Sequence, residues 1–179
     1  MDLGSDCLKR WEFAGFFFIF FSGALLHFAY ELSGENVFVG ALTPVNESVW
    51  EHLKLVFLTG VILFFLEIGF CKGISGSSLL TGKTLGIYIM CGTILGGFYL
   101  YTLFVHHNLI IDLLLMAFAI YLGQTVSFKI AATGKTTVAT AVVAAIFLLA
   151  LGAIFVVFTF RPPQLEPFRD SLTGRYGIG

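Results

Sequence analysis

Histidine and glutamate residues gather in one part of this 179-residue chain, at the edges of apolar stretches. His27 and Glu31 are four residues apart, so on one helix both side chains reach the same point. Glu47 and Glu51 have the same spacing and are followed directly by His52. Imidazole nitrogens and carboxylate oxygens together suit zinc, iron or manganese. A divalent metal held there would activate water at neutral pH, which is hydrolytic chemistry.

Roles in such a site follow from what each residue type can do. His27, Glu31 and His52 are the predicted metal ligands. Glu47 and Glu51 are the predicted catalytic groups, because a carboxylate can take the proton of a metal-bound water. The predicted supporting residues are Asn46, Trp50, Lys54, His106, His107, Asp112, Arg161, Asp170 and Tyr176.

The same region also has interpretations that need no metal. Ser48 and Glu51 have the spacing of a capping box at a helix start. Thr43 followed by Pro44 offers an earlier start, because proline is tolerated at the first helical position. From that earlier start, Glu47, Glu51 and Lys54 would share one helix face. The repulsion between the two carboxylates would then be relieved by a shared proton, by Lys54 or by a bound cation. The sequence leaves both helix starts open.

The composition places these residues in a membrane protein. Hydrophobic residues make up 58% of the chain and charged residues only 12%, whereas a soluble domain has about 25% charged residues. A spanning helix needs about 20 mostly apolar residues. Such stretches cover about residues 13–30, 53–70, 85–105, 109–128 and 138–160. We therefore predict an all-α polytopic membrane protein, a five-transmembrane-helix bundle forming one domain over residues 1–179.

Two further segments complete the predicted architecture. A short interfacial segment from residue 44 precedes the second helix. The tail, residues 161–179, is predicted to be non-helical because three prolines interrupt it. It is either a disordered end or a cover that packs Leu165, Phe168 and Tyr176 over the polar face.

The distribution of lysine and arginine predicts the orientation in the membrane. Five spans place six of these cations on the N-terminal side: Lys9, Arg10, Lys72, Lys83, Lys129 and Lys135. The other side has four, so the polar His/Glu face and the tail are predicted to be extracytoplasmic, at the plasma membrane. If the tail covers the polar face, its arginines would neutralise Glu31, Glu47 or Asp112. Glu67 and Gln124 lie toward the opposite face and are interpreted as helix-end residues.

Other features give weaker indications about partners and cofactors. Cys7, Cys71 and Cys91 have no CxxC or zinc-finger spacing, so all three are interpreted as small apolar fillers. A net charge of -1 provides no basic surface for nucleic acid. Gly92 and Gly96 form a GxxxG pattern that permits close helix packing, within one chain or in a homodimer.

Two stretches resemble an uncharacterised family of small bacterial membrane proteins. They are PVNESxWEHxK at residues 44–54 and PPxxxxFxDxxxxxYGI at residues 162–178. The resemblance covers nearly the whole chain and implies a bacterial plasma-membrane protein, with no activity attached to it. A looser likeness exists to the membrane hydrolases that include alkaline ceramidases, which hold zinc with histidines and an aspartate. Those enzymes have more spans and an HxxxH pair, and this chain has neither.

Three functions follow as hypotheses. The first is a metal-dependent, membrane-embedded hydrolase that acts on a lipid or a small amphiphile. The second is a proton- or cation-coupled transporter or channel, in which Glu47 and Glu51 carry protons. The third is an accessory subunit that binds a partner through Glu47, Trp50 and the tail. Convergence of the histidines and glutamates would favour the hydrolase. A continuous water path would favour the transporter or channel, and carboxylates paired with arginines would favour the accessory subunit.

Overall fold

The computed structural model describes residues 3–178, and within them the chain is helical. Its helices are α1 (Leu3–Leu26), α2 (Ala29–Leu32), α3 (Val37–Leu42), α4 (Val49–Phe70), α5 (Gly76–Thr102), α6 (Leu109–Thr133) and α7 (Val138–Phe160), with a 3-10 turn at Glu166–Phe168. Across the same residues, extended pairing is limited to an isolated bridge between Arg169 and Tyr176. The predicted all-α class is confirmed.

In the described part of the chain, four helices, α4 to α7, are long and apolar enough to cross a membrane. The sequence predicted five spans, so the membrane class is supported and four of the five spans are matched. The remaining helix, α1, has 24 residues and carries Lys9, Arg10 and Glu12 in its first half. The length of α1 would be sufficient to cross a membrane, because 24 residues rise about 36 Å along a helix axis.

Several helix ends differ from the predicted ones. α1 begins before residue 13 and ends before residue 30. α5 begins well before residue 85, because Ser75 caps it by accepting a hydrogen bond from the backbone N–H of Ser78 at 3.5 Å. α6 continues beyond residue 128 to Thr133 and is capped by Gly134, whose φ of 61° favours glycine. The ends of α7 agree with the prediction.

The long helices pack as a bundle in which α5 and α6 form the most extensive pair. A Cβ atom on Gly86 would lie 2.7 Å from the carbonyl oxygen of Gly123, so this approach requires glycine. α1 packs against α4 and α6, while α5 also packs against α4 and α7. Fully buried core residues include Ile19, Val56, Ile87, Met90 and Ile120. Within residues 3–178, no atom lies close to the open side of Gly92 or Gly96, and a dimer through them stays a prediction.

A disulfide joins Cys7 of α1 to Cys71, the residue that follows α4, with 5.7 Å between their Cα atoms. The interpretation of all three cysteines as apolar fillers is therefore wrong for these two. It holds for Cys91, which is buried and free. The pair forms because the start of α1 lies beside the end of α4. A separation of 64 residues gave no local motif by which to recognise it.

The C-terminal tail folds back over the opposite end of the bundle, where α4 begins. Phe168 is buried, and its ring centroid lies 4.8 Å from that of Trp50. The backbone N–H of Ile178 donates to the carbonyl oxygen of Thr159, near the end of α7, at 3.0 Å. The predicted cover is therefore present and rests on Phe168, whereas Leu165 is 60% exposed.

Candidate metal centre

Three chain segments at the tail-covered end position the candidate site. His27 follows directly after α1, Glu47 lies in the loop before α4, and His52 is near the start of α4. Ser48 fixes the start of α4, because its Oγ accepts a hydrogen bond from the backbone N–H of Glu51 at 3.3 Å. Of the two helix starts that the sequence left open, the one capped by Ser48 is confirmed. The earlier start is wrong.

The side chains of His27, Glu47 and His52, here called the triad, converge on one point. Nε2 of His27 lies 3.2 Å from Oε1 of Glu47, and Nε2 of His52 lies 3.4 Å from Oε2 of Glu47. One ligand atom from each residue can be chosen so that all three lie within 4.8 Å of one another. Ligand atoms about 2.0 to 2.1 Å from a tetrahedral zinc ion are separated by about 3.3 Å. Both histidine–glutamate distances are close to that value, so the triad is a candidate site for a divalent metal.

Hydrogen bonds orient the ligands. Nδ1–H of His52 donates to the carbonyl oxygen of Ser48 at 2.8 Å, so in the neutral ring Nε2 carries the free lone pair. Metal-binding histidines usually donate their second ring N–H in this way. The backbone N–H of Glu47 donates to Oδ1 of Asp170 at 3.2 Å, and Asn46 donates to the tail backbone at 3.1 Å. The tail thus helps to hold the loop that carries Glu47.

The electrostatics of the triad favour an ionised Glu47. Without a metal, hydrogen bonds from Nε2–H of His27 and His52 lower the pKa of Glu47, and its partial burial opposes them; a bound metal would take the place of those two protons. Burial also raises the pKa of Asp170, but hydrogen bonds from the Thr173 hydroxyl and from backbone N–H groups outweigh it and lower that pKa. The side chains of His27, Glu47 and His52 are 26%, 38% and 32% exposed. A substrate or water can therefore reach the triad.

Glu31, a predicted ligand, does not join the triad. α1 ends at Leu26 and α2 begins at Ala29 after a turn, so His27 and Glu31 do not lie on one continuous helix. Glu31 is exposed and outside the converging group. Glu47, which was predicted as a catalytic group, occupies the position beside His27 instead.

Glu51, the other predicted catalytic group, is engaged elsewhere. Its Oε2 atom lies 2.7 Å from Nζ of Lys54, and both side chains are buried. The same oxygen accepts a hydrogen bond from the backbone N–H of Val45 at 3.1 Å. Lys54 also donates to the Thr159 hydroxyl and to the carbonyl oxygen of Gly40, the latter at 3.0 Å. This ion pair joins α3, α4 and α7, so Glu51 has a structural position and is not free to act as a base.

A second histidine–carboxylate pair lies close to the triad. Nε2 of His107 lies 2.7 Å from Oδ2 of Asp112, and the Tyr101 hydroxyl donates to the other Asp112 oxygen at 2.6 Å. Asp112 is near enough to His52 to interact with it electrostatically. The neighbouring His106 is exposed. His107 and Asp112 therefore form a histidine–carboxylate pair whose carboxylate interacts with the triad.

The tail arginines do not neutralise the acids as predicted. Among the ion pairs of residues 3–178, none joins a tail arginine to Glu31, Glu47 or Asp112. Glu47 and Asp112 have histidine partners instead. The other predicted supporting residues have structural positions: Arg161 at the end of α7, Trp50 against the tail, and Tyr176 in the backbone bridge.

The sequence did not predict a second polar cluster, which lies inside the bundle. Nζ of Lys83 is 2.9 Å from Oε2 of Glu12 and 2.9 Å from Oε1 of Glu67. Lys83, which was counted among the cations of the N-terminal side, and Gln124, which was interpreted as a helix-end residue, lie buried inside α5 and α6. Glu67 does lie in the last turn of α4, but it too is buried. Charged residues within otherwise apolar helices were the available signal, since such residues seldom face lipid.

Comparison with known proteins identifies the family. A family model described as "Family of unknown function (DUF6512)" matches residues 4–178, so the chain belongs to that family. No curated protein and no solved structure matches the chain. Membership brings no activity with it, and the function has to be argued from the side chains themselves.

Proposed function

We propose that this DUF6512 protein is a membrane-embedded, metal-dependent hydrolase whose metal is held by His27, Glu47 and His52. The convergence of these three side chains at a partly exposed position carries the proposal. Two histidines and one glutamate leave a fourth coordination position for water or substrate, as in catalytic zinc sites. A zinc, iron or manganese ion there supplies a Lewis acid and an activated water.

The residues around the triad suit the accompanying proton transfer. Glu47 becomes a ligand, and Glu51 is held by Lys54. We assign the proton acceptor to His107, whose Nε2 faces Asp112 at 2.7 Å and whose side chain is 63% exposed. Asp112 would fix the tautomer of His107 and stabilise its protonated form, so that Nδ1 of His107 accepts the proton.

A lipid or small amphiphile is the substrate class that the surroundings support. An apolar groove of about 390 Å³ lies between α4 and α7. Phe57, Val61, Leu149 and Gly152 are among its lining residues, and Lys54 lies in its wall, two residues from His52. His52 and Lys54 lie at the same end of α4 but project from different sides of the helix, so an acyl chain in this groove would have its polar end at the height of the triad along α4.

The membrane placement is part of the proposal. Phe13, Phe17, Phe21 and Leu25 recur every four residues of α1 and are 46–74% exposed, which is the pattern of a lipid-facing stripe. The charged Glu12 is turned into the bundle. We therefore infer that α1 is the fifth span of a bacterial plasma-membrane protein, with the triad at the membrane surface.

The orientation rests on the exposed cations. Setting aside the buried Lys54 and Lys83 leaves five cations at the N-terminal end and three in the tail. This bias favours a cytoplasmic N-terminal end and an extracytoplasmic triad. The Cys7–Cys71 disulfide favours the opposite orientation, because disulfides form in oxidising compartments. The charges are the basis of our proposal, and labelling of the cysteines tests it directly.

Metal analysis tests the hydrolase proposal. Full-length protein is purified in detergent, stripped with a chelator, reloaded with zinc, iron or manganese, and analysed for bound metal and for hydrolysis of fluorogenic acyl esters. We expect stoichiometric metal in the wild type and in His106→Ala, whose histidine is exposed and outside the triad. His27→Ala and His52→Ala should lose metal and activity together. A wild type that binds no metal, or equal retention by His27→Ala, would contradict the proposal.

A proton- or cation-coupled transporter is the second candidate function, and the buried Lys83 with its two glutamates favours it. Ionisable residues inside membrane helices often mark an ion or proton path. The third hypothesis, an accessory subunit, required carboxylates paired with arginines, and Glu47 is paired with histidines instead. Proton flux measured in liposomes that contain the protein and a pH dye would support the transporter. No flux above that of protein-free liposomes would argue against it.

A further inference from the structure

A buried polar cluster, here called the Lys83 cluster, lies apart from the triad and joins four helices. Its members are Glu12 of α1, Glu67 of α4, Lys83 of α5, and Gln124 and Ser127 of α6. Each of the five residues is at most 5% exposed. The cluster is therefore shielded from both lipid and bulk water.

Hydrogen bonds occupy nearly every polar atom of the cluster. Lys83 donates to Glu12, to Glu67 and to Oε1 of Gln124, the last at 3.3 Å. The second oxygen of Glu12 accepts a hydrogen bond from the Ser127 hydroxyl at 2.6 Å. Glu67 differs from Glu12, because its Oε2 has no hydrogen-bond partner among residues 3–178.

The charges of the cluster do not balance when every group is ionised. Two carboxylates, Glu12 and Glu67, share the single ammonium of Lys83. The other buried ion pair, Glu51 with Lys54, is balanced one to one. An unbalanced charge away from water is so costly that the group neutralises by changing its protonation state. A metal ion is a poorer solution, because Ca²⁺ or Mg²⁺ takes about six oxygen ligands and only Oε2 of Glu67 is unoccupied.

We propose that the Lys83 cluster is a proton-binding site in which the proton resides on Glu67. One proton converts the Glu67 carboxylate to the neutral acid and leaves Lys83 balanced by Glu12. The charged groups that face Glu67 are Glu12 from α1 and Lys83 from α5, while α6 contributes the neutral Gln124 and Ser127. This proposal is independent of metal binding at the triad.

The position of Glu67 identifies the water phase with which the proton exchanges. Glu67 lies one helical turn before Cys71, about 6 Å along the axis of α4, near the disulfide end. His52 lies about 22 Å away in the other direction, beyond the buried Leu63 and Val56. The proton therefore enters from the disulfide end.

Infrared spectroscopy of the full-length protein tests the site. A protonated carboxylic acid has a carbonyl-stretch band that shifts on deuteration. Outside the cluster, the other buried acids of residues 3–178 are Glu51, which is paired with Lys54, and Asp170, which accepts hydrogen bonds from Thr173 and backbone N–H groups. We expect this band in the wild type at neutral pH and its loss at alkaline pH. Glu67→Gln, which has the shape of the neutral acid, should fold normally and lack the band. Glu166→Gln, which changes an exposed tail carboxylate, should retain it.

A second variant tests whether the proton is bound because two carboxylates share one ammonium group. In Glu12→Gln, Glu67 is the sole counterion of Lys83, so it should ionise and the band should disappear although Glu67 is intact. Absence of the band in the wild type would overturn the proposal. Its persistence in Glu67→Gln or in Glu12→Gln would do the same. The spectra are recorded in two buffers, one with choline and one with sodium as the cation. The carbonyl band should be the same in both, and loss of the band in sodium would identify a sodium site instead.

Discussion

Nε2 of His52 lies 3.4 Å from Oε2 of Glu47, although Glu47 precedes the helix on which His52 lies. The contact therefore depends on how the loop before α4 is held. Asp170 holds it from the C-terminal tail by accepting a hydrogen bond from the backbone N–H of Glu47. Residues separated by more than a hundred positions thus cooperate in one candidate metal centre.

This arrangement predicts that Asp170→Ala weakens zinc binding without removing a ligand. Loss of a residue that orients a metal ligand typically lowers metal affinity by roughly 10- to 100-fold. We expect a decrease in that range, measured by competition with a fluorescent zinc chelator. Glu166→Ala in the same tail is the matched control, because Glu166 is exposed and outside the triad. Equal zinc affinity of Asp170→Ala and the wild type would show that the tail does not position Glu47.

The metal-free triad should make stability depend on pH in a specific range. The histidines lower the folded-state pKa of Glu47, so its contribution is present above the ordinary glutamate pKa of about 4.3 and is lost as pH falls through the lower folded-state value. The difference in melting temperature between wild type and Glu47→Gln should therefore persist down to about pH 4.3 and shrink only in more acid solution. A difference that disappears well above that pH would contradict this assignment.

The fold could be predicted from the sequence where hydropathy alone decides it. Continuous apolar runs predicted four of the membrane helices, and Ser48 with its spacing to Glu51 gave one of two candidate starts for α4. The bounds of the first helix were harder to predict, because Glu12 and its neighbours interrupt the apolar pattern. That interruption exists because Glu12 points inward to Lys83, which a hydropathy profile does not reveal.

The candidate site could be predicted only as a region. The spacing of His27 and Glu31 suggested a shared helix face, but the turn after α1 separates them. Glu47 proved to be the residue between the two histidines, and this depends on the long-range contact with Asp170. The Cys7–Cys71 pair was missed for the same physical reason, since only the packing of α1 on α4 brings its members together.

The buried pair Glu51–Lys54 predicts a large loss of stability when one partner is removed. Lys54→Met leaves Glu51 buried without its counter-ion, and breaking such a pair typically lowers the free energy of unfolding by about 3 to 5 kcal/mol. The double variant Lys54→Met with Glu51→Gln removes both charges and should recover much of that loss. Chemical unfolding in detergent measures the effect. A single variant as stable as the wild type would show that the pair is unimportant.

The Cys7–Cys71 pair lies at the end of the bundle opposite to the triad and so reports the orientation of the protein. If this end is cytoplasmic, both residues are kept reduced in cells. A membrane-impermeant maleimide should then label them only after the membrane is permeabilised, and without added reductant. We propose the experiment in a Cys91→Ala background, so that the buried third cysteine does not contribute.

A cysteine in the tail provides the matched control for this labelling. Ser171→Cys, at an exposed position, combined with serine at Cys7 and Cys71, should be labelled in intact spheroplasts, because the tail covers the triad end. The opposite orientation would give a different labelling result. The maleimide would then reach Cys7 and Cys71 in intact cells, but only after a reductant has been added. That result would mean that the disulfide is intact in an oxidising compartment. The triad would then face the cytoplasm, and its substrate would have to come from the inner leaflet or the cell interior.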